Sequence, residues 1–116
     1  MAELGQLRTP AEVIAEVDRR LRTESWRTQG VTPAVYAFLV GEKDGPLQHF
    51  EVSLGRGTGF ARAHVPALAD CTITLNPDTL MGIVQGTLKP LVAFAFGRVK
   101  VQGNAGLVPQ LGRAIS

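Results

Sequence analysis

The chain is poor in the side chains that do chemistry. It has one cysteine, Cys71, and two histidines, His49 and His64, in 116 residues. A single thiol excludes an internal disulfide and a cysteine-built metal centre. Neither histidine lies in a Glu-x-x-His pattern, and nothing else supplies the three or four ligands that a metal needs. No metal site and no cofactor are therefore expected. Nucleophilic catalysis needs a nucleophile, a base and a group to orient them. Cys71 sits in a strand-like stretch, where cysteine serves as a small buried hydrophobe. No catalytic residue is assigned.

Other absences narrow the field. No apolar run approaches the roughly 20 residues of a membrane helix. Aromatic residues make up 6% of the chain, and the twelve Lys and Arg are dispersed among ten Asp and Glu. No basic stripe or basic–aromatic alternation appears, so nucleic acid is not an expected partner. The net charge of +2 decides little. The N-terminus lacks the charged start and apolar stretch of a secretion signal. Ala114-Ile115-Ser116 is not a peroxisomal address. These features predict a cytoplasmic protein, a single domain over residues 1–116 with residues 1–8 frayed.

What is present is patterned. Thr9-Pro10-Ala11-Glu12 reads as a helix start, with Thr9 as cap, Pro10 at the first position and Glu12 closing a capping box. Val13, Ile14, Val17 and Leu21 then form an apolar stripe, with Glu12, Glu16, Arg19 and Arg20 elsewhere on the wheel. This is a helix packed on a sheet; the acidic residues argue against membrane contact along it. Residues 23–34, with Trp26, Gly30 and Pro33, read either as a short helical turn or as a loop.

Four strands follow: Val35–Val40; Gln48–Leu54, with Phe50, Val52 and Leu54 on one face and Glu51 and Ser53 on the other; Phe60–Val65; and Cys71–Leu75. Tyr36, Phe38 and Val40 form the matching apolar set on the first. Asn76-Pro77-Asp78 opens a helix that Gly86 weakens or ends. Pro90 starts a short helix over Leu91–Phe96, stopped by Gly97. Arg98–Gln102 is a fifth strand, with Val99 and Val101 inward. A last helix carries Leu107, Val108, Leu111 and Ile115, kinked or delayed by Pro109. The sum is an α+β fold: a five-stranded, mostly antiparallel sheet with helices covering one face.

Gly55-Arg56-Gly57-Thr58-Gly59 has glycines like a phosphate-binding loop. It precedes strand-patterned residues rather than a helix and lacks Gly-Lys-Ser/Thr, so it reads as a hairpin turn. Asp70 and Asn104 read as turn or cap residues. Phe94 and Phe96 serve equally as plain core or as cavity lining.

Ala69-Asp70-Cys71-Thr72 leading a strand, the helix Pro77–Gln85 followed by Gly86-Thr87-Leu88-Lys89-Pro90, then Ala93-Phe94, Gly97, Arg98–Gln102 and Gly103-Asn104-x-Gly106-Leu107 together resemble the sterol carrier protein-2 domain family. The match runs from about Val35 to Ile115. The resemblance implies an apolar tunnel between sheet and helices. It implies non-enzymatic binding, presentation or transfer of sterols, fatty acids, acyl-CoA esters or similar lipids, with transient membrane contact. Mapped here, the lipid-lining positions are Phe38, Phe50 and Val52 from the sheet; Ile83, Val84, Leu88, Leu91, Phe94 and Phe96 from the middle helices; and Leu107 and Leu111 from the last. Family members often carry Gln where Phe96 stands, so a drier pocket is expected. Two other readings are kept. One is an accessory or interaction module of the same fold whose cavity is filled by Phe94, Phe96 and Trp26. The other is a small enzyme using His49 or His64.

Overall fold

The computed structural model describes residues 9–116; the fraying expected of residues 1–8 lies outside them. Helix α1 (Pro10–Thr23) opens with the anticipated capping box. Glu12 N donates to Thr9 Oγ1 at 3.2 Å, and Thr9 N donates to Glu12 Oε1 at 3.1 Å. Two orphan donors of the first turn are thereby satisfied. Its apolar stripe is buried against the sheet's edge strand.

The sheet consists of β1 (Ala34–Val40), β2 (Gln48–Gly55), β3 (Thr58–Ala63), β4 (Cys71–Leu75) and β5 (Val99–Gly103), in the order β3-β2-β1-β4-β5. All neighbours are antiparallel except β1 and β4, which run parallel at the centre. The sheet is therefore mixed. In the register, Phe38 faces Phe50 on one side and Ile73 on the other, and Ile73 faces Val101. This row runs under the helices, because side chains at alternate positions share a face. Val35, Ala37 and Leu39 occupy the more open face.

Strand bounds move relative to the sequence reading: β1 starts one residue earlier, β2 ends one later, and β3 ends at Ala63 rather than Val65. β3 starts at Thr58, not Phe60, because the hairpin turn is only two residues, Arg56-Gly57, with Gly57 at φ +73°. β5 is one residue later, with Gly103 paired to Cys71. Gly103 has φ +97°, and a Cβ there would fall against the Asp70 carbonyl, so only glycine fits.

Helices α2 (Pro77–Gln85), α3 (Pro90–Ala95) and α4 (Val108–Ile115) follow. Asn76 Oδ1 caps α2 by accepting from Thr79 N at 2.8 Å. Gly86 ends that helix in the left-handed conformation, φ +80°. Pro109 delays α4 rather than kinking it. It occupies the first turn, where no backbone donor is required, and a 3₁₀ turn, Ala105–Leu107, precedes it. The undecided stretch after α1 holds another 3₁₀ turn, Ser25–Thr28. Asp70 Oδ2 accepts from Val35 N at 2.8 Å and Asn104 Oδ1 from Gly106 N at 3.0 Å, so both act as turn and cap residues.

Two charged residues assigned to the solvent side are buried. Arg20 is 7% exposed: its Nε donates to Glu16 and its Nη1 to the carbonyls of Val84 and Ile115. It lies where α1 meets the C-terminal ends of α2 and α4, whose last carbonyls need donors. Glu51, on the open face of β2, is covered by Arg62 of the neighbouring strand at 2.7 Å.

Candidate functional site

The inner face of the sheet and the three later helices meet around a small cavity of about 30 Å³. Phe38, Ile73, Leu75 and Val99 form its floor, Ile83 one wall, Pro90 and Phe94 its roof, and Val108, Leu111, Gly112 and Ile115 the far wall. No lining residue has a polar side chain. Nothing there could hold a metal or perform acid–base chemistry. The place where the resemblance put a tunnel is thus nearly closed: the space equals about one or two waters.

A shallow groove of about 370 Å³ lies on the outside of the same helices, lined by Lys89, Leu91, Pro109, Arg113 and Ser116. Pro90, Val108 and Gly112 line both spaces. The inner cavity and the outer groove meet along this α3–α4 seam. The seam is tight because position 112 is glycine: a Cβ there would stand 3.0 Å from Pro90 Cβ and Cγ.

The two sides of the seam are held very differently. α4 is fixed at its start by Tyr36, which is buried in β1 and whose hydroxyl donates to the Leu107 carbonyl at 2.7 Å. Gln110 donates to that hydroxyl at 3.0 Å and to the Thr32 carbonyl at 2.7 Å, while its own carbonyl accepts from Thr32 N. Burial pushes the Tyr36 phenol above its ordinary value. The end of α4 is fixed by Arg20 on Ile115 and by Arg27, which donates to the carbonyls of Ala114 and Ser116. By contrast α3 is six residues long, buries only Ala93, has no side-chain cap, and ends at Gly97 with φ +72°. Leu91 is 70% exposed, Phe94 47% and Phe96 78%.

The candidate positions separate accordingly. Phe38, Ile83, Phe94 and Leu111 meet at the cavity. Val84 is buried on the same helix as Ile83, where its carbonyl accepts from Arg20. Leu88 packs over Gly82, and Leu107 lies partly buried against the core. Phe50 and Val52 share the inner face of the sheet, with Phe50 beside Ile14 of α1. Leu91 faces the outer groove, and Phe96 lies in the open. Phe96 and Trp26, the latter 62% exposed and stacked against Arg27, fill no cavity; that part of the accessory-module reading is not met. Ile73, Leu75 and Val99 of the strands and Pro90, Val108, Gly112 and Ile115 of the helices also line the cavity and are not among the expected lipid-lining positions. Proline and glycine at helix ends read as punctuation, and only the tertiary seam gives them a second role.

His49 and His64 are exposed, and neither lines the cavity. Cys71 is buried, and its Sγ donates to the Asn104 carbonyl at 3.1 Å. Burial, aided by nearby Asp70, raises its thiol above the ordinary value and away from the reactive thiolate. Among the described residues no cluster of three His, Cys, Asp or Glu could hold a metal, and no helix is long and apolar enough to cross a membrane.

A mixed five-stranded sheet whose helices cover a wholly apolar pocket defines an α+β protein built around an apolar site between its layers. The chain belongs to the SCP-2 sterol transfer family, whose model matches residues 15–116. It is 31% identical over 102 residues to sterol carrier protein 2 of Bos taurus, an alignment covering 85% of this chain and 18% of that protein. The chain thus spans about a fifth of the length of the curated relatives it matches. Among solved structures, sterol carrier protein-2 from Aedes aegypti in complex with palmitate superposes with a TM-score of 0.69 at 21% identity, covering 95% of this chain and 97% of that one. The sec-alkylsulfatase Pisa1 from a Pseudomonas species superposes at 0.74 with 22% identity, covering 97% of this chain and 17% of the enzyme. The fold therefore occurs both alone and as part of an enzyme.

Proposed function

We propose that this protein binds the apolar tail of a lipid, such as a fatty acid, acyl-CoA ester or sterol, between its sheet and α3–α4, and presents or transfers it without making bonds. The observation that carries the reading is a cavity walled only by apolar side chains, with the short helix α3 at its roof. A tail cannot fit the present volume, so room must come from outward displacement of α3. That helix buries only Ala93 and has no side-chain cap, while α4 is clamped at both ends. Phe94 is cavity wall and half-exposed surface at once, as a gate residue must be.

The energetics permit this. Each buried methylene contributes about 0.8 kcal/mol, so a sixteen-carbon tail yields roughly 13 kcal/mol gross. Association and ordering cost about 4–15 kcal/mol. Useful affinity then requires nearly complete burial and owes little to the head group. Family membership and the palmitate-bound Aedes aegypti neighbour support an acyl ligand. A cytoplasmic, reducing location belongs to the same reading, supported by the lone free thiol.

The small cavity favours one second reading, an accessory module with a closed core that serves a longer protein. Lipid extraction from the purified protein followed by mass spectrometry, with titration of a fluorescent fatty acid, separates the two. A carrier gives stoichiometric acyl or sterol lipid and saturable micromolar binding. Lipid-free protein that ignores the probe leaves only the module.

A further inference from the structure

The two outer strands of the sheet are finished differently. β3 is sealed by α1: Ala61 N donates to Asp18 Oδ1 at 2.9 Å, and a Cβ on Gly59 would meet Thr28 and Leu21. Among the described residues nothing pairs with the outer side of β5. Asn104 N donates to the Asp70 carbonyl at 3.0 Å, and the Leu75 carbonyl turns toward β1, where it accepts from Gly41 N at 3.2 Å. With the β4–β5 register, this alternation gives Thr72 and Thr74 the bonds to Gln102 and Lys100. The N–H and C=O groups of Val99 and Val101 therefore point away from the sheet. The strand holds no proline and no bulge, since residues 99–103 stay in step with residues 71–75. Such an edge is a template for another strand.

The charge beside this edge has one sign. Residues 79–116 contain Lys89, Arg98, Lys100 and Arg113 and no Asp or Glu, whereas residues 1–78 carry eight cationic against ten acidic side chains. In the first part, Arg19 and Arg20 pair with Glu16, Arg22 with Asp18, Arg27 with Glu24, and Arg62 with Glu51. Arg98 and Lys100 are exposed and, among the described residues, have no acidic partner. Both line an open groove of about 670 Å³ whose other wall, the β1–β2 loop, holds Glu42 and Asp44. A strand laid outside β5 runs on the side away from those acids, because β5 ends the strand order. Val99 and the half-buried Val101 face the helices, while Lys100 and Gln102 face the open side.

We propose that the free edge of β5 takes up an extended, acidic segment of a partner polypeptide as an antiparallel sixth strand. The main chain of that segment pairs with Val99 and Val101. Acidic side chains at every second position meet Lys100 and Arg98, and apolar ones between them continue the surface of Val101. A second copy of the chain is the poorer occupant, because pairing β5 with itself brings two Lys100 and two Arg98 side chains together. The lysine that guards this edge against its own kind thereby selects an acidic guest. The inference does not rest on the lipid-binding reading.

The probe is a blocked, fluorescein-labelled peptide of alternating Glu and Val, followed by anisotropy. Saturable binding is expected, weakened by added salt. A peptide of alternating Lys and Val does not bind. In the antiparallel pairing the valine nitrogens of the probe face β5 and its glutamate nitrogens face solvent. Methylating the former abolishes binding; methylating the latter preserves it. Lys100→Gln weakens binding about threefold, and Lys100→Gln with Arg98→Gln about tenfold. Both positions are exposed, and circular dichroism checks that the fold is intact. Arg56→Gln, in the β2–β3 turn, leaves binding unchanged. Amide exchange read by NMR slows at Val99 and Val101 when the probe is added. No saturable binding up to about 1 mM, equal binding of the Lys and Val peptide, binding that survives methylation of the valine nitrogens, an affinity unmoved by the double variant, or protection confined to other elements overturns the proposal. So does a dimer of the protein alone, seen by light scattering, in which the same two amides are already protected.

Discussion

Arg20 Nη1 donates to the main-chain carbonyl of Ile115 at 3.0 Å, across 95 positions of sequence. The same nitrogen reaches the Val84 carbonyl at 2.8 Å. One guanidinium thus ties the first helix to the ends of two later ones, and one of those is the fixed wall of the cavity. Arg20→Met removes the donor and leaves two buried carbonyls and part of Glu16 unsatisfied. A loss of about 2–4 kcal/mol is expected, given about 1–3 kcal/mol for an orphaned buried group. Arg20→Lys, with no planar fork, recovers only part of it. Urea unfolding midpoints check both.

Glu16 gives the acid side of the stability curve. The Arg19 hydrogen bond, opposed by burial and joined by the Arg20 hydrogen bond, holds its carboxyl below the ordinary value. The unfolded chain then binds the proton first as pH falls. The contribution is complete above the unfolded value of about 4.3 and is lost as pH drops through the lower folded value. Glu16→Gln should flatten the stability–pH curve below pH 4.3 while lowering stability at neutral pH; chemical unfolding across that range reads both effects.

Phe96 and Phe38 are two phenylalanines with opposite settings, 78% and 1% exposed. Phe96→Ala should change unfolding free energy by no more than about 0.5 kcal/mol. Phe38→Ala, under the helices at the cavity floor, should cost about 3–5 kcal/mol. A large loss at Phe96 would mean that α3 packs inward.

Gly112 and Pro90 set the seam. Gly112→Ala gains helix propensity of about 0.8–1.0 kcal/mol but overpacks Pro90 at a cost of about 1–3 kcal/mol. The expected net is about 1 kcal/mol of destabilisation and a looser α3. Thermal unfolding measures the first effect. Faster exchange of a fluorescent fatty acid, followed by stopped flow, measures the second.

Local chemistry was legible in the sequence, and long-range chemistry was not. Thr9-Pro10-x-Glu12 and Asn76-Pro77-Asp78 carry their helix starts within four residues, and Phe50, Val52 and Leu54 announce their shared face through a period of two. Arg20 looks like any surface arginine, because its partners lie 64 and 95 residues away. The parallel β1–β4 pair is equally silent, since strand direction depends on the path between strands. Of the candidate site, Phe38, Ile83, Phe94 and Leu111 converge at the cavity, while Leu91 and Phe96 present themselves to solvent. A hydrophobic residue on a six-residue helix gives no signal for which it will do. The acid-free stretch of residues 79–116 was readable but hidden by the nearly balanced charge of the whole chain.

The parallel pairing of β4 with β1 also governs how the protein can be synthesised. β1, β2 and β3 form a meander of neighbours and can assemble while the remainder is still in the ribosome. The pocket cannot: its floor needs residues 71–75 laid beside residues 36–40, and its far wall arrives only with Leu111 and Ile115. Until then a nascent chain presents Phe38, Ile73 and Leu75 bare. The helix that completes this interior is made after every strand of the sheet, and every arrested or truncated product short of it is a sticky one.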